Sequence, residues 1–243
     1  MGLAPVIADL PLSPFSFVVD QEKKTYSTDF SVVALLRDRS GQVVEKLSKH
    51  YRLSGPLDKL EEEKKGRILF YREADLSPGR YTLETIAYDA PTARLSVRSG
   101  AIEVTAGDEA RLRLSDVMIL KRAEPAPAAA ETLSNPFRVG NVLVTPNLGE
   151  PISRTLKEAP FFFTIYTPPG TIAGPKLTIE LRQRDQTLAQ MPGDLPKPDA
   201  AGRIQYLAGL PLERLPAGSF ELRITISDGT TTVTRSAYFT IAD

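Results

Sequence analysis

The sequence predicts an all-β protein of two tandem immunoglobulin-like or fibronectin III-like antiparallel β-sandwiches. Many short segments alternate apolar and polar residues, as in KLTIELRQ (176–183), which is typical of half-buried strands. Twenty prolines and sixteen glycines in 243 residues divide these segments by turns. A set of segments also occurs twice in the same order. Only residues 56–66 and 209–215 carry helix signals, and the second stretch is long enough for only one turn.

The repeat is clearest where LSPGRYTLETIAYD (76–89) matches LPAGSFELRITISD (215–228). Four further matches keep the same order: FSFVV with FFFTI (15–19, 161–165), SVVALLR with KLTIELR (31–37, 176–182), GRILFY with GRIQYL (66–71, 202–207) and RSGAIEV with RSAYFTI (98–104, 235–241). A unit of about 100 residues has the size of an immunoglobulin-like sandwich. The pattern therefore predicts two copies of one domain.

The repeat also predicts the domain boundary, with a first sandwich at 1–106 and a second at 107–243. The stretch RAEPAPAAAETLSNP (122–136) is rich in proline and alanine and has no periodicity, so we expect a loop inside the second domain. In the alternative, this stretch is the linker between domains. Residues 110–120 would then form the last strand of the first domain.

Each copy contains a predicted corner where the chain passes between sheets. In the first copy, Gly79 is expected to adopt a positive φ and Leu76 to fill the core. The hydroxyl of Tyr81 is expected to bond to backbone a few residues upstream, as in a tyrosine corner. The equivalent residues of the second copy are Leu215, Gly218 and Phe220. Because phenylalanine has no hydroxyl, we expect packing alone to hold this second corner.

Composition argues against several classes of function. Thirty basic residues balance thirty acidic ones, which gives no electrostatic footprint for nucleic acid. No apolar run is long enough to span a membrane. The chain has no cysteine, which excludes disulfides, thiolate metal sites and cysteine nucleophiles. It also has no phosphate-binding loop or dinucleotide motif, so no cofactor is predicted.

No catalytic or metal-binding residue is predicted. His50 is the single histidine, and no G-x-S-x-G segment accompanies it, so a solvated residue at a strand end is the simpler interpretation. Asp89 and Asp228 recur at equivalent strand ends, where we expect them to cap nearby backbone amides. A hydrolase that uses only carboxylates is the remaining enzymatic alternative.

One segment carries aromatic residues on both faces of a predicted strand. In APFFFTIYTPP (159–169), Phe161 and Phe163 alternate with Phe162 and Tyr166. A sandwich strand buries one face, so Phe162 and Tyr166 must be covered by the 122–136 loop, by the first domain or by a partner. Coverage within the chain is favoured, and a partner interface at these two residues is the alternative.

The segment from LSKHYRLSG to RSGAIEV (47–104) carries an LxPGxY corner, a YD strand end and an RSGxIEV strand. SDVMIL, NVLVTPN and FFFTIY follow in the second half. Together they resemble the C-terminal β-rich region of bacterial, acidobacterial-type VWFA-related proteins. The resemblance implies an exported protein with a signal peptide and a von Willebrand factor A-like domain before the sandwiches. It implies no activity, and no metal site of such a domain matches a residue here.

The sequence therefore predicts a non-catalytic structural or protein-interaction module, part of a larger exported bacterial protein. The expected partner is an unknown protein or a surface polysaccharide, and a carbohydrate- or cell-surface ligand-binding module is the alternative. We expect recognition over loops or by strand addition at a sheet edge. The expected location is the periplasm, the cell surface or the medium, with the leader absent from this chain.

Overall fold

A computed structural model describes residues 2–108, 110–126, 137–168 and 174–242. The chain divides into two compact units, Met1–Gly107 and Asp108–Asp243. Each unit is a β-sandwich built mainly of antiparallel strands, which confirms the predicted fold class. The helix expected within 56–66 is short: a 3₁₀ turn at Leu57–Lys59 is followed by α1 at Leu60–Glu63.

The first unit has two sheets. Its strands are β1 (Gly2–Pro11), β2 (Val18–Asp20), β3 (Thr25–Arg37), β4 (Val43–Pro56), β5 (Arg67–Leu76), β6 (Gly79–Asp89) and β7 (Arg94–Val104). One sheet has the order β2-β3-β6-β7, and β4 pairs with β3. The other sheet is the antiparallel pair β1-β5.

The core of the first unit lies between these sheets. Along β3, the side chains of Phe30, Val32 and Leu36 are fully buried and their neighbours are not, which is the predicted alternation. Phe70 of β5 is also fully buried. Phe15, which lies outside the strands, stacks on Phe30 with ring centroids 4.1 Å apart.

The second unit also has two sheets. Its strands are β8 (Arg113–Leu114), β9 (Met118–Pro125), β10 (Arg138–Val139), β11 (Val142–Pro146), β12 (Ile152–Ser153), β13 (Glu158–Tyr166), β14 (Lys176–Gln183), β15 (Gln186–Gly193), β16 (Arg203–Pro211), β17 (Gly218–Ser227) and β18 (Thr232–Ala242). One sheet has the order β10-β11-β9-β13-β16, and β8 pairs with β13. The other has the order β12-β18-β17-β14-β15, in which β12 runs parallel to β18.

The inward faces of three strands build most of the second core. They contribute Phe161, Phe163 and Ile165 from β13, Leu177, Ile179 and Leu181 from β14, and Leu222, Ile224 and Ile226 from β17, all buried. Because these side chains recur at every second position, the alternating pattern alone accounts for their inward orientation.

The prediction of a loop at 122–136 is wrong at its start. Residues 122–125 continue β9 and pair with β11, because Val142–Thr145 offers them an antiparallel ladder. Residues 127–136 lie outside the described part of the chain. The strands on both sides of that segment, β9 and β10, belong to the second unit. The single helical turn expected at 209–215 is shorter than that segment. β16 runs to Pro211, and only then does Leu215 N donate to Leu212 O across one turn.

The sequence match of FSFVV with FFFTI is also wrong. β13 pairs with β16, and the strand that pairs with the matching β5 is β1, not residues 15–19. The sequence match makes Ile68 of β5 equivalent to Ile204 of β16. On this alignment, Ala4 and Pro5 of β1 occupy the same positions in their ladder as Ala159 and Pro160 of β13. Descent of the two units from one repeated domain stays a prediction.

Candidate interaction surface

The first corner is held by a hydrogen bond. Tyr81 Oη donates to Ser77 O at 2.7 Å, and Leu76 is buried below. The predicted positive φ at Gly79 is wrong, because this glycine lies outside the left-handed region. A Cβ at Gly79 would lie 3.5 Å from the Tyr81 hydroxyl and 3.6 Å from its ring, which is ordinary van der Waals contact, so the packing at this corner does not require a glycine.

The second corner is held by packing. Gly218 does have a positive φ of 141°, a backbone conformation that residues other than glycine rarely adopt. Phe220 is buried and stacks on Phe239 with ring centroids 5.6 Å apart. Leu215 is half-buried against the same core. Both corners therefore belong to the folding of the units and leave no group directed at a ligand.

Phe162 and Tyr166 are half-buried and form no exposed aromatic platform. Phe162 lies between Met118 of β9 and its partner on β16 in the sheet. The guanidinium of Arg113 lies 5.0 Å from the centre of the Tyr166 ring, a cation–π contact. The second unit thus supplies neighbours for this face from its own strands.

His50 lies on the solvent face of the first unit. Its Nε2 is 2.6 Å from Asp29 Oδ1, and Arg52 Nε donates to the other oxygen at 3.1 Å. The hydrogen bond from His50 is the largest cause that holds the pKa of Asp29 below its usual value; burial opposes it, and the hydrogen bond from Arg52 adds to it. Ser31 is the cross-strand neighbour of His50, but no hydrogen bond joins them among the described residues. The arrangement is an exposed charge cluster on a sheet face.

The two aspartates expected to cap local amides differ. Asp228 caps its own turn, accepting from the N–H groups of Thr230 and Thr231 at 2.9 and 2.7 Å. Asp89 is buried and instead accepts from the N–H and hydroxyl of Ser16, 73 residues away, and from the Thr92 hydroxyl. The prediction is wrong for Asp89, which ties a distant segment to the end of β6. The aspartate pattern alone could not show this long-range contact.

A cleft of about 500 Å³ lies in the second unit. The turn at Val139–Val142 forms one wall, and Gln205, Tyr206 and Asp194 form another. Burial, and then the charge of Asp194, raise the pKa of the Tyr206 hydroxyl. The lining of this cleft mixes polar residues, Asn141, Asp194 and Gln205, with apolar ones such as Val142 and Leu207, which the sequence did not indicate.

The first unit exposes apolar side chains on the outer face of its larger sheet. We call Val33, Ile86, Tyr88, Leu95 and Val97 the outer strip. They lie side by side because Val33 pairs with Ile86, Ile86 with Val97, and Tyr88 with Leu95. Tyr88, Leu95 and Val97 are 39%, 66% and 49% exposed. A contiguous exposed apolar patch on a sheet face is typical of an interaction site.

The outer strip ends at β7, the last strand of its sheet. Pro56 has no N–H, so its pair with Thr25 is a non-hydrogen-bonded one. Bonded and non-bonded pairs alternate along antiparallel strands. It follows that the odd-numbered residues of β3 bond to β6, and that the odd-numbered residues of β6 bond to β7. On β7, the residues that bond to β6 are therefore the even-numbered ones. The odd-numbered residues from Leu95 to Glu103 therefore direct their N–H and C=O groups away from the sheet.

Other marginal strands carry features that discourage strand addition. β4 has lysines at 46 and 49 and a register shift, β15 has Pro192 and a register shift, and Pro5 and Pro11 limit the bonding positions on the free edge of β1 to Ile7 and Asp9. β7 has neither proline nor lysine, and its eleven residues pair with β6 without a shift. The sequence predicted recognition over loops or by strand addition, but which edge is exposed could be identified only from the sheet order.

No protein-family model matches the chain, and no curated protein matches it significantly. Among the described residues, no helix is both long and apolar enough to cross a membrane. In the same part of the chain, no three His, Cys, Asp or Glu side chains come together as a metal site.

Proposed function

We propose that this protein is a non-catalytic interaction module that binds an extended segment of a partner protein by strand addition at β7. The observation that carries the proposal is that the outer strip ends at an edge strand with no proline, lysine or register shift. A strand added to β7 would hydrogen-bond to the odd-numbered residues. Its alternate side chains would extend the apolar surface of Tyr88, Leu95 and Val97.

Two terms favour the free energy of such a contact: an edge that is already ordered, and apolar side chains that become buried. The outward backbone groups of β7 are pre-ordered by pairing with β6, so little of the edge must be organised on binding. Covering the exposed parts of Leu95 and Val97 would contribute about 1 kcal/mol each, roughly half the value for complete burial.

The family resemblance supports a wider context for this activity. It favours a module within a larger exported protein of the VWFA-related type, at the cell envelope or in the medium. In that setting the two sandwiches would serve as a structural and docking region. Detection of the native protein in envelope or medium fractions, and not in the cytosol, is the result expected.

A displayed library of random dodecapeptides tests the β7 site. Peptides selected on the wild-type chain are tested on Ser99→Pro, which removes one outward N–H, and on Ser99→Ala, which keeps it. We expect Ser99→Pro to abolish binding of peptides with alternating apolar residues and Ser99→Ala to preserve it. Peptides that bind all three proteins equally would refute strand addition at β7.

Binding of a surface polysaccharide is a second candidate, favoured by the polar residues in the cleft of the second unit. Asn141, Asp194 and Gln205 present amide and carboxylate groups of the kind that bond to sugar hydroxyls. Titration of the chain with cell-wall glycan fragments tests it. We expect Gln205→Ala to abolish any such binding and Ser99→Pro to leave it intact. Binding that survives Gln205→Ala would rule out this cleft.

A further inference from the structure

In the second unit, the segment before β13 closes one side of the sandwich. β8 and β9 pair with the edge of β13 that β16 leaves open. The side chains of Leu112, Leu114 and Val117 enter the core, where all three are buried. Asp116 lies two residues after Leu114. Its side chain is 98% exposed, and its Oδ1 lies 3.6 Å from Arg235 Nε on β18. This one segment thus supplies apolar residues to the core and a carboxylate to the opposite sheet.

Among the residues that the structure describes, the first unit has no such segment. There, β1 pairs only with β5, and β7 only with β6. The registers are otherwise the same, since Gly79 pairs with Val104 as Gly218 pairs with Ile241. This alignment places Arg98 where Arg235 lies. Among the described residues, Arg98 forms no ion pair or hydrogen bond.

The inward side of the first unit is correspondingly open. Ser96, Arg98 and Gly100 are exposed although they point toward the side of the core. Thr85 and Ala87 are half-buried, and their equivalents in the second unit, Ile224 and Ile226, are fully buried. We call the region between the free edge of β1 and these five residues of β6 and β7 the open slot.

The free edge of β1 has backbone groups to receive a strand. The prolines of β1 must face away from β5, because they cannot donate to its ladder. By alternation, Ile7 and Asp9 direct their N–H and C=O groups to the same side. Their equivalents in β13 are Phe162, which pairs with Met118, and Thr164, whose carbonyl accepts from Ser115 N at 2.9 Å. Pro160, the equivalent of Pro5, does not prevent that pairing.

We propose that the open slot binds an extended segment of another polypeptide that has the pattern of residues 112–117. This occupant has two apolar residues at alternate positions, then a carboxylate two positions later, then a further apolar residue. It pairs with Ile7 and Asp9 of β1 and places its carboxylate on Arg98. The inference goes beyond strand addition at β7, because the occupant lies between the sheets and bonds to a different strand.

A synthetic peptide with the sequence of residues 110–119, labelled with fluorescein, serves as the probe. It is titrated against the full chain by fluorescence anisotropy. We expect binding that weakens about threefold for the peptide with Asp→Asn at its acidic position, and equally for the Arg98→Gln chain, because an ion pair between exposed side chains is weak. Combining the two changes should cause no further loss. Arg80→Gln, which removes an exposed arginine from the other face of β6, is the matched control and should not alter affinity.

Hydrogen exchange of the same complex locates the peptide. Protection of the Ile7 and Asp9 amides is the expected result. Replacement of residues 110–119 in the second unit by the peptide would leave those amides unprotected and would overturn the proposal. Absence of binding at about 1 mM peptide would overturn it as well. Binding that depends on Ser99 N–H but not on Arg98 would refute the open slot and leave the β7 site standing.

Discussion

The two units build the same kind of sandwich, but they close it to different degrees. In the second unit, β8 and β9 extend one sheet beyond β13, and β12 covers the end of β18. The first unit leaves the corresponding edges of β1 and β7 unpaired. Its residues near those edges are also smaller or more polar, with Thr85 and Ala87 where the second unit has two isoleucines. The difference lies in how many strand edges find a partner within their own unit, and both proposals above rest on the edges of the first unit.

The largest expected effect contrasts the two corners. Phe220→Ala should lower the free energy of unfolding of the second unit by about 3–5 kcal/mol, because a buried ring leaves a cavity. Tyr81→Ala should cost the first unit less, about 2 kcal/mol, because its ring is only half-buried. Urea denaturation followed by amide NMR signals of each unit separates the two effects. An equal loss in both units would contradict the assignment of one corner to packing.

The second contrast concerns the paired aspartates. Asp89→Asn should destabilise the first unit by about 1.5–3 kcal/mol, because it disrupts buried hydrogen bonds from Ser16 and Thr92 to a charged acceptor. The matched change Asp228→Asn affects an exposed turn and should leave stability unaltered within error. The same urea titration measures both. A larger effect at Asp228 would show that the long-range contact of Asp89 is unimportant.

The stability of the first unit should also depend on pH through Asp89. Burial favours the neutral acid, but hydrogen bonds from Thr92 and Ser16 outweigh it and hold the pKa of Asp89 below its usual value. A lowered pKa in the folded state contributes stability that is present above the unfolded pKa and is lost as pH falls through the folded one. We expect the unfolding free energy to fall as pH drops below about 4. Asp89→Asn should make this fall shallower, and an unchanged slope would contradict the role of Asp89.

The smallest expected effect isolates the corner hydroxyl. Tyr81→Phe removes the hydrogen bond to Ser77 O and should cost about 1 kcal/mol. The reciprocal change Phe220→Tyr places a hydroxyl in a packed environment and should bring no gain. Thermal unfolding of both variants checks the pair. Stabilisation by Phe220→Tyr would show that the second corner also has room for a tyrosine hydrogen bond.

Sequence patterns identified the strands with strict alternation. β3, β14 and β17 are predicted because their apolar residues recur at every second position and clear turns bound them. β1 was missed because Pro5, Asp9 and Pro11 interrupt its pattern. A proline lowers the expectation of a strand. At a sheet edge it is tolerated, and only the pairing with β5 shows that β1 is one.

The candidate surfaces were less accessible from the sequence. The sequence pattern identified Phe162 and Tyr166 as a candidate interface. Their neighbours on β9, β16 and β8, however, are set by long-range pairing. The sequence RLSVRSGAIEV is typical of an ordinary strand, and nothing in it identifies β7 as an edge strand. An open edge is defined by the strand that is missing beside it, which is a property of the sheet and not of the segment.

Amide hydrogen exchange along β7, followed by NMR, tests the central claim most directly. If the edge is open, the odd-numbered amides from Leu95 to Glu103 should exchange rapidly, because they face solvent. The even-numbered amides from Ser96 to Ile102 should be protected by their bonds to β6. Uniform protection along the strand would mean that the edge is already covered, and it would contradict strand addition at β7.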